Sequence, residues 1–418
     1  MRSSSPTNHE NSIGYGHETR TRSRYFLSNE MKVMTAMYTL RRGGSYDRFK
    51  MLIEAFLGRA CEVHCLSLTP IEIEHPLFYN HVMHLPFKKV GGLIGKLVVL
   101  SMFPIWSVWV GWRNRIDLII AFGSLYAFVQ GLSKWFLKRP LVTLIRGDSR
   151  FGLRMQNSSK YTLYLNKGIE NMGLNSSDLI ITNNTSLREE ILKSLRKGKH
   201  IDVKVLLNNI PFIPSPHLQD IPRTRAKYGI PEDAKILVTA GVLNQGKNIE
   251  VLINSLPRIE MKNLHLLVVG DGSTEPDFQY RDFLKARAKE LKVEERVIFT
   301  GWVEKKDLWK IYQASDLFVL PSLNEGMPNA MLEALGFGLP CLGTRISGVK
   351  DILQYEELMF DPEDENDILG KISHFFSNDQ YSNHIIELCQ ERKKAFVFDW
   401  KERVFQMATK RTFPSRWL

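Results

Sequence analysis

The sequence predicts two α/β domains in tandem, each a doubly wound parallel sheet of Rossmann type, facing one another across a cleft. Three observations predict it. At 418 residues the chain is longer than one core ordinarily organises. Short apolar runs alternate with helical periodicity through both halves. A Pro-rich stretch between Ile210 and Pro222 interrupts that alternation, where neither a helix nor a central strand can continue. The composition, 44% hydrophobic and 24% charged, is that of a globular chain rather than a disordered or fibrous one.

Taken in order, residues 1–30 are polar, rich in Ser, Arg and Asn, and lack the apolar segment of a secretory signal. They are expected to form a disordered tail, with Met31 a plausible alternative start. The apolar run 33–38 reads as a first strand. It leads through Arg41-Arg42-Gly43-Gly44-Ser45 into a helical pattern over 46–57. A Gly-Gly turn at a strand's C-terminal end admits a close approach by ligand, or is simply a tight turn. Further strands are expected at 63–68, 118–122, 141–145, 179–182 and 203–207. The second half repeats the pattern at 236–240, 264–269, 297–300, 317–320 and 341–343. Leu284, Ala288 and Leu291 share a helical face, as do Leu308, Ile311 and Tyr312. The expected domains are 31–212 and 213–395, with 396–418 a helix that crosses back to the first domain.

One segment departs from the pattern. Residues 90–112 are strongly apolar, hold Trp106, Trp109 and Trp112, and are flanked by Lys88, Lys89, Arg113 and Arg115. Gly91, Gly92, Gly95, Lys96 and Pro104 argue against a membrane span. Two readings stay open: an interfacial helix with an aromatic edge and basic flanks, or a buried helix of the first core. Charge is distributed unevenly too. Residues 1–220 hold 29 Lys/Arg against 16 Asp/Glu, a balance of +13, and the rest hold 27 against 29, a balance of −2. An anionic partner of the first half is one reading and a generic basic surface the other. No recognition motif accompanies the charge, so nucleic acid is not expected as a partner. Cys61, Cys65, Cys341 and Cys389 have neither metal-ligand spacing nor a His cluster. They are expected to be small buried hydrophobes in a reducing, cytoplasmic setting.

The chemistry concentrates in residues 317–334. A buried strand is expected to end at Pro321, a loop follows, and a helix starts near Pro328, a residue suited to a first turn. The open N–H groups of that turn, around Ala330 and Met331, make an anion site suited to a diphosphate. Glu325 precedes the helix, and Glu333 lies about 7.5 Å further along its axis than Pro328. Each carboxylate can accept hydrogen bonds from hydroxyls, one from a sugar and one from a ribose. On spacing alone, two solvated surface carboxylates would serve as well.

The whole run Asn324-Glu325-Gly326-Met327-Pro328-Asn329 through Leu332-Glu333-Ala334 resembles the E-x7-E motif of the family 4 retaining glycosyltransferases, whose fold is the two-domain GT-B arrangement. The resemblance extends over most of residues 31–405. Gly241-Val242-Leu243-Asn244-Gln245-Gly246-Lys247 resembles the family's phosphate-binding segment, which gives Lys247 the diphosphate. Gly270-Asp271-Gly272, Gly338-Leu339-Pro340, Gly348-Val349-Lys350-Asp351 and Phe398-Asp399-Trp400 match further family segments. Phe299-Thr300-Gly301-Trp302-Val303 resembles the stretch that reads the nucleobase, and Gly43-Gly44 the glycine loop. Two departures stand out. Val242 occupies the place of the usual second phosphate cation, an Arg, and Arg146 that of a His often found after the strand ending at Ile145. Arg146 could return the missing charge from across the cleft, with Asp148 orienting it or the acceptor.

The resemblance implies a hexosyltransferase acting with retention, with no cofactor or metal required. The co-substrate is a nucleotide-diphosphate sugar, UDP-sugars being favoured over GDP-mannose on family frequency alone. Glu325, Lys247, Arg146 and Asp148 are the catalytic candidates. The donor-binding candidates are Gly43, Gly44, Gly241, Gly270, Asp271, Trp302, Val303, Gly326, Met327, Asn329, Ala330, Met331 and Glu333. The acceptor is expected to be a saccharide or lipid-linked saccharide of surface polysaccharide or glycolipid biosynthesis. The setting would be cytoplasmic, at the inner membrane face, with peripheral contact to anionic lipid. The alternatives are epimerisation of a nucleotide sugar, against which the E-x7-E string argues, its hydrolysis, and a catalytically silent GT-B binding or assembly subunit.

Overall fold

The short apolar runs become the strands of two parallel sheets. The computed structural model describes residues 31–37, 44–84, 93–147, 160–196, 198, 200–210 and 220–410. The expected tail, most of the Pro-rich stretch, Gly43 and Asp148 lie outside the described residues. The first half runs β1 (Lys32–Ala36), α1 (Gly44–Leu57), β2 (Glu62–Ser67), β3 (Phe78–Val82), α2 (Leu93–Arg113), β4 (Leu118–Phe122), α3 (Ser124–Leu137), β5 (Leu141–Ile145), α4 (Lys160–Ser176), β6 (Leu179–Thr182), α5 (Thr185–Ser194) and β7 (Asp202–Val205). Its seven strands lie in the order β3-β2-β1-β4-β5-β6-β7, all parallel. This is a doubly wound sheet whose order reverses beside β1, at the end of which α1 begins.

Residues alternate between the two faces of this sheet. Leu118, Ile120 and Phe122 pack with α1, while Ile119 and Ala121 pack with Phe103 and Val110 of α2 and Ala127 and Val129 of α3. Burial on both faces explains why the central strands read as continuous apolar runs. β3 escaped the sequence reading for the same reason inverted: Phe78-Tyr79-Asn80-His81-Val82 is a half-exposed edge strand with polar residues interleaved.

The second half opens with α6 (Asp220–Lys227), so Pro222 lies within a helix rather than at the linker's end. Pro is tolerated there because a first-turn N–H has no intrahelical acceptor. β8 (Lys235–Ala240), α7 (Glu250–Ser255), β9 (Leu264–Val269), α8 (Glu275–Glu290), β10 (Val297–Gly301), α9 (Lys305–Ala314), β11 (Leu317–Leu320), α10 (Asn329–Gly336), β12 (Cys341–Thr344), α11 (Ser347–Leu353), β13 (Met359–Phe360), α12 (Glu365–Ser377) and α13 (Asp379–Lys394) follow. The sheet order is β10-β9-β8-β11-β12-β13, again parallel. Two boundaries beside the cavity differ from expectation. β11 ends at Leu320, and Pro328 caps α10 in extended conformation instead of occupying its first turn. β13, two residues long, has no sequence signature of its own.

The last described helix, α14 (Trp400–Lys410), buries Trp400, Val404 and Ala408 in the first domain's core. Phe405 meets Phe56 of α1 at a ring-centroid distance of 5.3 Å, and Lys401 pairs with Glu54 at 2.7 Å. All four cysteines are buried. Truncating Phe56, which is fully buried against α14, is expected to remove about 3–5 kcal/mol of stability. Denaturant unfolding of Phe56→Ala checks this, and an unchanged midpoint would mean that α14 does not hold the first domain in solution.

Candidate active site

A cavity of about 540 Å³ opens between the two sheets, walled by loops at the C-terminal ends of β8, β9 and β11 and by the start of α1. Open parallel sheets bind ligands outside such strand ends. Three features of its wall carry chemistry.

The first is an ion pair. The loop after β8 closes as one turn of 3₁₀ helix, Gln245–Lys247, capped by Asn248 in the left-handed region at φ 52°. The loop after β11 is tied to that turn, since the Leu323 N–H donates to the Gly246 carbonyl at 2.8 Å. The tie brings Lys247 and Glu325 together: Lys247 Nζ donates to Glu325 Oε1, which also accepts from Ser322 Oγ at 3.0 Å. Both side chains are largely buried at the cavity wall, where a charge pair is screened less than in water. The two residues expected separately at diphosphate and sugar are therefore each other's partners here. The sequence carries no signal for that pairing, because the two lie 78 positions apart.

The second is the N-terminus of α10. Pro328 offers no side-chain cap, and the first helical hydrogen bond comes from the Leu332 N–H to the Pro328 carbonyl at 3.3 Å. The N–H groups of Asn329, Ala330 and Met331 precede it and carry the positive end of the helix dipole. Asn329 and Ala330 line the cavity. The Met331 side chain does not. It is fully buried against Gly343, so only its backbone can take part.

The third is Glu333, one helical turn further on, paired with Lys305 Nζ at 3.5 Å. Burial raises its carboxyl above the ordinary range, while Lys305 and Arg48 oppose the rise. Lys305, like Ser45 and Asp47, lines the cavity but was not singled out from the sequence.

Of the other candidates, Gly44, Gly241, Gly270, Trp302, Val303, Gly326 and Met327 line the cavity. Asp271 does not. It is turned into an ion pair with Arg281 at 3.0 Å and accepts from the Gly272 N–H at 2.7 Å. Gly270 has φ 124°, and a Cβ there would strike the Gly241 carbonyl, so this turn requires glycine twice over. Trp302 is 54% exposed, with its Nε1 at 3.4 Å from the Gly272 carbonyl.

Arg146 enters the cavity from the first domain, and Val242 lies on the opposing wall. The Arg146 Nε and Nη1 atoms are buried with no hydrogen-bond partner among the described residues. Burial and the neighbouring Arg48 lower its guanidinium to about 9, and Asp47 opposes them. A buried cation with unused donors is costly unless an anion is brought to it. Arg48 itself is spoken for: its Nη1 and Nη2 donate to Asn209 Oδ1 at 2.5 Å and to the Asn209 carbonyl at 2.7 Å.

The loop holding Glu325 is clamped from the first domain by two Asn-Asn doublets, one after β6 and one after β7. Asn184 Nδ2 donates to the Gly326 carbonyl at 2.7 Å, while its Oδ1 caps α5 through the Leu187 N–H at 2.7 Å. Asn183 Nδ2 donates to the Arg146 carbonyl at 3.0 Å, and Asn208 Nδ2 to Asn329 Oδ1 at 2.9 Å. A Cβ at residue 326 would collide with the Arg146 carbonyl, so glycine is the residue that lets the two domains meet here.

Comparison with known proteins places this arrangement. Residues 220–392 match the family model described as glycosyl transferases group 1. An uncharacterized glycosyltransferase of Methanocaldococcus jannaschii is 28% identical over 249 residues, 58% of this chain and 61% of that protein. The N-acetyl-alpha-D-glucosaminyl L-malate synthase of Bacillus anthracis is 28% identical over 186 residues, 44% of this chain and 45% of that one. The chain thus spans about half the length of these curated relatives. Among solved structures, Anabaena HepE in complex with UDP and glucose superposes with a TM-score of 0.71 at 17% identity, covering 90% of this chain and 98% of that one. At that identity the likeness is one of fold. Residues 220–392 thus resemble the group 1 glycosyl transferases, in a chain whose fold is the two-domain GT-B arrangement.

Proposed function

We propose that the chain is a retaining glycosyltransferase, moving a hexosyl group from a nucleotide-diphosphate sugar to a saccharide or lipid-linked acceptor. The observation that carries this reading is the meeting of the Lys247–Glu325 pair, the uncapped start of α10 and the Lys305–Glu333 pair around one cavity. A nucleotide sugar has three parts with three chemistries: an anionic diphosphate, a neutral sugar and a ribose. A helix start with a lysine, a carboxylate in the loop before it and a second carboxylate one turn along it offer those chemistries in order. A UDP-sugar is the donor class favoured here, supported by the UDP and glucose bound to a protein of the same fold.

In the proposed reaction the bond from the anomeric carbon to the diphosphate breaks as the acceptor oxygen bonds to that carbon. The leaving diphosphate takes the acceptor's proton on the same face. Charge grows on the diphosphate as the bond breaks, and fixed donors aimed at that charge are what accelerate the step. Lys247 and the α10 N–H groups supply them. Donor entry lets Lys247 exchange Glu325 for phosphate and frees Glu325 to accept from sugar hydroxyls. With valine at 242, Arg146 and Lys305 are further cations facing the cavity, and the unpartnered donors of Arg146 support a phosphate role for it.

Purified protein, screened against UDP- and GDP-sugars with acceptor extract, is expected to release nucleotide diphosphate and to leave the transferred sugar in the donor's anomeric configuration. Glu325→Ala should abolish turnover while nucleotide diphosphate still binds. If wild-type protein binds donors without any turnover, the silent-subunit reading replaces this one. Arg146→Ala removes a charge-assisted hydrogen bond worth about 1.5–3 kcal/mol, so kcat/KM should fall about 10- to 100-fold; unchanged turnover would remove Arg146 from the site. Because burial raises the Glu333 carboxyl, it becomes protonated at a higher pH than an ordinary glutamate and then loses acceptor capacity. Donor affinity should therefore weaken as pH falls through the weakly acidic range. Titration calorimetry of Glu333→Gln, which has no such proton, should show weak binding without that pH dependence.

A further inference from the structure

The side of the first sheet that faces α2, α3 and α4 is finished by an apolar outer surface. α3 lies between the other two. Its Ser133 Oγ meets Ser107 Oγ of α2 at 2.9 Å, and its Lys134 Nζ donates to the Ser176 carbonyl of α4 at 2.8 Å. α2 turns Phe103, Ser107 and Val110 into the core at helical spacing, and the opposite face carries Ile105, Trp109 and Trp112 outward. These are 68%, 53% and 71% exposed. Leu132, Trp135 and Phe136 continue the surface on α3, with Trp135 at 72% and Phe136 at 56% exposed. Tyr164 and Met172 extend it onto α4. Single exposed apolar residues need no explanation, but a run of them across three adjacent helices marks a contact surface. Over 100–112 the helix is buried on one side and exposes Ile105, Trp109 and Trp112 on the other. Among the described residues no helix is long and apolar enough to cross a membrane.

Charge selects the occupant. Residues 93–176, from the start of α2 to the end of α4, hold 11 Lys/Arg and three Asp/Glu, a balance of +8, of which Arg146 faces the cavity. Arg113, Arg115 and Lys138 are exposed at the ends of α2 and α3, and Arg113 lies over the Trp109 ring at 5.9 Å. A second copy would set like charge against like, and protein interfaces are depleted of lysine. Tryptophan with arginine and lysine at its edge suits the boundary where hydrocarbon meets anionic headgroups. We propose that the α2–α3–α4 face docks on an anionic lipid bilayer, the indoles entering the headgroup boundary and the basic residues meeting lipid phosphates.

Co-sedimentation of the full chain with lipid vesicles tests this independently of turnover. Vesicles of phosphatidylglycerol and phosphatidylcholine in equal parts should carry the protein down, and phosphatidylcholine alone should carry much less. A variant combining Trp109→Ser, Trp112→Ser and Trp135→Ser should partition at least about tenfold more weakly, since its indoles no longer bury apolar area. Arg113→Glu, Arg115→Glu and Lys138→Glu should each cost about fivefold on the mixed vesicles. Thermal midpoints like that of the wild type show that the variants fold, and the charge variants keep the test open should the triple variant not. Wild-type protein that stays in the supernatant with both vesicles overturns the proposal. So does a wild-type dimer in solution that the tryptophan variant breaks, because the face would then belong to a second copy.

Discussion

The contact on which the site depends is the hydrogen bond from Asn184 Nδ2 to the Gly326 carbonyl, made across the interface between the domains of the two sheets. A loop between a buried strand and a helix has few contacts of its own to fix it. Here it is fixed from outside. Gly326 is pressed so close to the Arg146 carbonyl that no side chain fits between them, and Asn183 holds that same carbonyl. The asparagine that clamps the loop also caps α5, so the geometry of a helix start in one domain is built into the Glu325 loop of the other. The neighbouring Asn208–Asn329 bond and the Asn329 Nδ2 bond to the Gly44 carbonyl, at 3.2 Å, continue this seam to α1.

This arrangement has an electrostatic consequence. The seam brings Arg146 to the cavity as a buried cation with unused donors, and Arg48, Asp47, Lys305 and Glu333 interact through the same space. A site whose charges are partly desolvated and partly unsatisfied is poor at stability and well suited to a polyanionic ligand, which supplies the missing partners. The Lys247–Glu325 pair has the complementary character. The pair neutralises both members, and either can exchange its partner for a ligand group of the same charge type.

The sequence made the architecture legible because both sheets are parallel and buried on both faces. Their central strands therefore appear as uninterrupted apolar runs that need no knowledge of partners. The edge strand β3 and the two-residue β13 were not legible, since a half-exposed edge alternates irregularly and a strand so short carries no period. In the site, Glu325, Lys247, Glu333 and the α10 start were readable from local chemistry and resemblance. Lys305 and the asparagine doublets were not, because a surface lysine and an Asn-Asn pair after a strand look like ordinary turn composition.

By itself, the sequence determined what each segment is: strand, helix, glycine turn, uncapped helix start, apolar aromatic helix. These follow from periodicity and from residue types whose backbone preferences act over a few positions. Only the tertiary structure decided what each segment faces. It paired Lys247 with Glu325, turned Asp271 away to Arg281, aimed Arg146 at the cavity wall opposite Val242, and left one side of α2 open beside α3 and α4. The physical reason is range. Secondary structure is written in interactions three or four residues apart. The clamp on Gly326 joins residues 142 positions apart, and only packing of the two domains brings those into reach.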